Sequence, residues 1–82
     1  MIFTSKARKQ YEALDPRLRR QVDKGIERIA RRPRCGKPLG GNLKGIWSER
    51  VSTFRILYKI DEDRIEILVL VIENRKLVYG GH

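Results

Sequence analysis

The sequence predicts a single α+β domain in which two N-terminal helices pack on a mainly antiparallel twisted sheet of about four strands. Three observations lead there. An apolar stripe at helical spacing runs from Leu18 to Ile29, apolar and polar residues alternate from Phe54 to Ile60, and a nearly unbroken apolar run, IEILVLVI, begins at Ile65. At 82 residues the chain is expected to form one domain, 1–82, near the size at which a core is just sustained, so each element has to serve that core.

Met1-Ile2-Phe3 reads as a short edge strand, and the hydroxyls of Thr4 and Ser5 are both placed to cap a helix after it. Ala7, Tyr11 and Leu14 recur at helical spacing, which makes Ser5 to Leu14 a short amphipathic helix. Asp15-Pro16 then opens a second helix, with Asp at the cap and Pro in the first turn. In that helix, Pro16 to about Arg32, Leu18, Val22, Ile26 and Ile29 form one apolar stripe, and Gly25 lies within it where a close helix contact tolerates the lost propensity. Arg17, Arg20, Lys24, Arg28 and Arg31 line the opposite side, with Asp23 and Glu27 spaced for i,i+4 pairing. A solvated helix back accounts for this ridge, and so does a surface that tracks phosphates.

Pro33 ends the helix, and PRCGKPLGG is read as loop, without the spacing of a nucleotide-binding phosphate loop. In the next stretch Ile46, Ser48 and Arg50 share one face of a strand. Beyond the short Val51–Ser52–Thr53 connection, Phe54, Ile56, Tyr58 and Ile60 face a core while Arg55, Leu57 and Lys59 face outward. If the two segments pair, Arg50 stands beside Arg55 and the sheet presents guanidinium groups. Asp61-Glu62-Asp63 is a polar turn, Arg64 to Ile72 a central strand, and Lys76 to Tyr79 a last short strand. Trp47 and Tyr58 are expected to pack in the core, not to stack on bases.

Charge makes the first functional statement. Nineteen Lys and Arg against 10 Asp and Glu leave +9 at pH 7, a field that concentrates polyanions, of which nucleic acid is the commonest in a cell. An acidic protein partner fits the same field. Cys35 is the one cysteine, so an intrachain disulfide and a CxxC metal framework are both excluded, and a reducing cytoplasmic location is expected. Without a base beside it, Cys35 is read as a bystander, not a nucleophile. The longest apolar run falls well short of the roughly 20 residues that span a bilayer, and no signal-peptide core opens the chain. No membrane association and no cofactor are expected.

From Phe3 to Tyr79 the chain resembles the RelE/ParE superfamily of toxins from type II toxin–antitoxin pairs, most specifically in GKPLGGNLKG, in the hairpin RVSTFRILY and in the closing RKLVY. The resemblance to the RelE branch implies a metal-independent endoribonuclease that enters the ribosomal A site and cuts the mRNA there. It also implies a cognate antitoxin that silences the toxin, with operator DNA reached only through that antitoxin. Arg50, Arg55 and Arg75 match its basic residues around the scissile phosphate, Tyr79 matches the tyrosine that stacks on a base or assists proton transfer, and Lys44, Ser48 and Lys76 fall among substrate-binding positions. Ser48 departs from the pattern, since RelE toxins often carry a lysine there. His82, with an ordinary pKa of about 6.5, or Lys44 would then supply the missing proton transfer or charge. Two other outcomes stay open on the sequence: a ParE-like inhibitor of DNA gyrase that cuts nothing, and a degenerate toxin that only binds its antitoxin.

Overall fold

The computed structural model describes residues 1–64 and 66–74. Strand β1 (Ile2–Phe3) leads into α1 (Ser5–Glu12) and α2 (Pro16–Arg31). There follow β2 (Lys37–Pro38), a 3-10 turn over Gly41–Leu43, and the long strands β3 (Ile46–Val51), β4 (Phe54–Asp61) and β5 (Glu66–Asn74). Among the described residues these strands make one five-stranded sheet in the order β1-β5-β4-β3-β2, antiparallel except for the parallel β1·β5 edge. Both helices lie on one face of it.

The helix starts are set by their caps. Thr4 accepts from the Ala7 amide at 3.1 Å, and Asp15 accepts from the Leu18 amide at 2.9 Å with Pro16 in the first turn. The first helix ends at Glu12, two residues before the sequence pattern suggests, because Ala13 already caps it. Of the α2 stripe, Val22 and Ile29 are fully buried while Leu18 and Ile26 pack at its margin. They share one core with Phe54, Ile56 and Tyr58 of β4 and Ile67, Val69 and Ile72 of β5. The close approach at Gly25 is to the sheet and not to another helix: a Cβ there would lie 2.9 Å from both Ile56 Cδ1 and Val51 Cγ1.

Three departures from the sequence reading have physical causes. Lys37-Pro38 is paired with β3, which adds the fifth strand, and it does so at a sheet edge, where a proline's missing N–H costs no ladder bond. Asp23 accepts a hydrogen bond from the Tyr11 hydroxyl at 2.7 Å instead of pairing along its own helix, so it joins α1 to α2. Arg28 leaves the cationic line to pair with Glu49 at 3.0 Å and to donate to the Arg50 carbonyl, which ties α2 to β3. Glu27 and Arg31 do pair along the helix, at 4.0 Å.

A bulge in β5 sets the facing of the residues after it. Leu57 pairs with Val71 but Tyr58 pairs with Val69, so Leu70 has no partner on β4, and its carbonyl accepts from the Thr4 hydroxyl at 2.7 Å. Ile67 and Val69 face the helices before the bulge and Ile72 does so after it.

Candidate functional site

The hairpin between β3 and β4 sets the site. Val51 belongs to β3 and pairs with Phe54, which leaves a two-residue turn, Ser52-Thr53, with Ser52 in the left-handed region at φ 55°. Arg50 and Arg55 are therefore direct cross-strand partners one step from the turn. Their neighbours Val51, Phe54 and Ile56 are buried under the helices, so by alternation both arginines project from the opposite face of the sheet. Among the described residues no helix covers that face.

Across the next interface, Arg55 pairs in register with Glu73. Its Nε donates to Glu73 Oε1 at 3.1 Å, and a terminal guanidinium nitrogen lies 3.1 Å from the same oxygen. Three adjacent strands thus carry one charged row, Arg50–Arg55–Glu73. Two like charges side by side repel, and the carboxylate offsets that repulsion. With side chains 44% and 32% exposed the ion pair is worth no more than about 1 kcal/mol, so an incoming phosphate can compete for the guanidinium.

Ser48 lies on the same face two residues before Arg50. Its register partner is Lys37 on β2, which alternation places on that face as well. Lys44, in contrast, sits after the 3-10 turn at the far end of β3 and is not brought to the arginines. Arg75, Lys76, Tyr79 and His82 lie outside the described residues. The structure therefore gathers Arg50, Arg55 and Ser48 from the sequence candidates and adds Glu73 and Lys37. Neither addition is legible in the sequence as a site residue: Lys37 reads as loop, and Glu73 reads as leaving a strand over Arg64 to Ile72, whereas β5 runs from Glu66 to Asn74 and, if regular, would turn Glu73 to the core side.

The aromatic and thiol candidates belong to the scaffold. Tyr58 is fully buried; its hydroxyl donates to the Pro33 carbonyl at 2.7 Å and accepts from the Gly36 amide at 3.2 Å, and burial pushes its pKa up to about 12. Trp47 packs at the core margin. Local desolvation, followed by the Glu49 carboxylate, raises the pKa of the exposed Cys35 thiol, which disfavours the thiolate a nucleophile requires. A cavity of about 730 Å³ opens at the other end of β4, lined by Ile2, Lys59, Arg64 and several carboxylates, away from the arginine row. Among the described residues no group of His, Cys, Asp or Glu is gathered to hold a metal ion, and no helix is long and apolar enough to cross a membrane.

Comparison with known proteins gives this fold a family. The sequence pattern of the ParE toxin of type II toxin–antitoxin systems, parDE, matches residues 1–78. Toxin RelG of Mycobacterium tuberculosis is 37% identical over 79 residues, spanning 94% of this chain and 91% of its own. The RelBE2 toxin–antitoxin complex of the same organism contains a chain that superposes with a TM-score of 0.80 at 36% identity, covering 89% of this chain and 93% of that one. The isolated E. coli RelE toxin shares the fold alone, with a TM-score of 0.76 at 21% identity over 98% of this chain and 89% of that one. With two helices on one face of this sheet and a family match along nearly its whole length, the chain belongs to the RelE/ParE superfamily of type II toxins.

Proposed function

We propose that this toxin is a ribosome-dependent mRNA endoribonuclease that arrests translation and is silenced by a cognate antitoxin. The observation that carries the reading is the register pairing of Arg50 with Arg55 on the uncovered face of the sheet. In metal-independent cleavage the 2′-oxygen attacks the adjacent phosphorus and the bond to the 5′-oxygen breaks, leaving a 2′,3′-cyclic phosphate. A base takes the 2′ proton and an acid gives one to the departing 5′-oxygen. Charge builds on the non-bridging oxygens meanwhile, and two guanidiniums on neighbouring strands, permanently charged and matched to phosphate geometry, are suited to hold it.

In this scheme Arg50 and Arg55 bracket the scissile phosphate, and Glu73 keeps Arg55 oriented until the substrate arrives. Arg75 adds a third cation and Tyr79 meets the base, the roles that the family resemblance gives them. With Ser48 in place of a lysine, His82 is the candidate for proton transfer.

Primer extension on a translated message after induction tests the proposal. New 5′ ends inside the coding region are expected with the wild type, reduced roughly 100-fold by Arg55→Ala, the scale of losing one transition-state donor. Growth arrest with intact mRNA would reject it. The match to a family named for ParE favours a second reading, inhibition of DNA gyrase, which predicts a DNA-damage response with translation intact. Wild-type cleavage of message separates the two.

A further inference from the structure

We propose that Lys37 is an RNA phosphate-binding residue that supplies, from the neighbouring strand, the positive charge that Ser48 does not. The inference rests on the endoribonuclease reading above and names a residue that the reading does not use. Lys37 and Ser48 are register partners across β2 and β3, so their side chains leave the same face at adjacent points. Strands lie about 4.8 Å apart, a gap that the four-carbon stem of a lysine can cross, so the ammonium has the reach to approach Ser48 and Arg50.

The strand that carries Lys37 is anchored, although only two residues long. Directly before it, the Tyr58 hydroxyl clasps the Pro33 carbonyl and the Gly36 amide at 2.7 and 3.2 Å. Directly after it, the Leu39 amide donates to the Ile46 carbonyl at 2.9 Å. Gly36 itself lies flush on β3: a Cβ there would stand 2.8 Å from the Ser48 carbonyl oxygen and 2.6 Å from the Tyr58 hydroxyl. A side chain at 36 would lift the strand, so the glycine is what allows Lys37 to ride beside position 48.

The charge is also uncommitted. Arg28, Arg34 and Arg55 each hold a carboxylate, whereas among the described residues Lys37 is exposed and has no ion-pair partner. An unpaired ammonium on a strand at the margin of a guanidinium row offers a phosphodiester oxygen a ready partner. Its role is to balance charge, leaving proton transfer to other groups.

Single-turnover cleavage of mRNA on programmed ribosomes tests this with the full chain. Lys37→Ala is expected to slow cleavage roughly 10- to 100-fold, the scale of one charge-assisted hydrogen bond, with an unchanged melting temperature, and Lys37→Arg to retain most of the rate. The decisive variant is Lys37→Ala/Ser48→Lys, in which a lysine moved one strand inward should recover most of the lost rate. Cleavage by Lys37→Ala at the wild-type rate would overturn the assignment while leaving the endoribonuclease reading intact, as would a double variant no faster than Lys37→Ala. If the wild type itself leaves the message whole, the endoribonuclease reading fails and this assignment fails with it.

Discussion

Arg55 carries a carboxylate partner on its guanidinium. Glu73 occupies the Nε edge of the guanidinium, and at this partly exposed site the cost of exchanging it for a phosphate would be small. In the proposed reaction, the pH profile of cleavage is expected to report the proton-transfer groups. Among the described residues with shifted pKa values, Tyr58 is the one pushed up furthest, to about 12. Its folded pKa, about 12, stands above the ordinary 10.0, so its contribution is full below pH 10 and is lost as pH rises from there through 12. Tyr58→Phe removes a donor to Pro33 and an acceptor for Gly36, and should lower stability by about 1–3 kcal/mol at pH 7. Urea midpoints at pH 7 and 11 check this, and the gap between wild type and variant should narrow at the higher pH.

Among the elements, the seating of α2 on the sheet decides whether the charged row forms. Gly25 admits the helix to Val51 and Ile56, the two residues whose burial turns Arg50 and Arg55 outward. Alanine there would gain about 1 kcal/mol of helix propensity but force its methyl into a β-branched pair with little freedom to move. Gly25→Ala is accordingly expected to destabilise by about 1–2 kcal/mol net, read as a lower urea midpoint at unchanged slope. A second tie runs from Arg28 to Glu49 and to the Arg50 carbonyl, which fixes the helix against the very strand that carries the site. Strand β2, like β1, is only two residues long, and the Tyr58 clasp helps to hold it.

At the scale of the whole molecule, the described cations include two groups set apart from one another. The arginine row projects from the uncovered sheet face, while Arg17, Arg20 and Lys24 stand exposed on the back of α2, on the side of the molecule that the helices cover. On the function proposed above, only the first surface would face the scissile phosphate, and the second would act through the long-range field. Reversing charge in Arg20→Glu/Lys24→Glu should therefore slow association with programmed ribosomes several-fold at low salt, an effect that fades as ionic strength rises, and leave single-turnover cleavage at saturation unchanged. Stopped-flow association across a salt series measures the first and quenched-flow cleavage the second. A loss of cleavage at saturation would move the contact surface to the helix back.

The two helices are legible in the chain without coordinates, because caps and a 3.6-residue stripe are local signals, and so is the facing of the β3–β4 hairpin, because strict alternation sorts Phe54 to Ile60 onto two sides. The same reasoning places Arg50 beside Arg55, since a short connection between alternating segments allows little freedom of register. The rest of the row depends on long-range contacts. Counting by twos from Ile67 and Val69 sends Glu73 into the core, and only the bulge at Leu70, made where Thr4 of a distant segment bonds its carbonyl, turns Glu73 out to meet Arg55. Lys37 reaches the site for a similar reason: a segment that reads as loop is a strand because a buried tyrosine from another strand holds it there, and no local pattern encodes a partner 22 residues away.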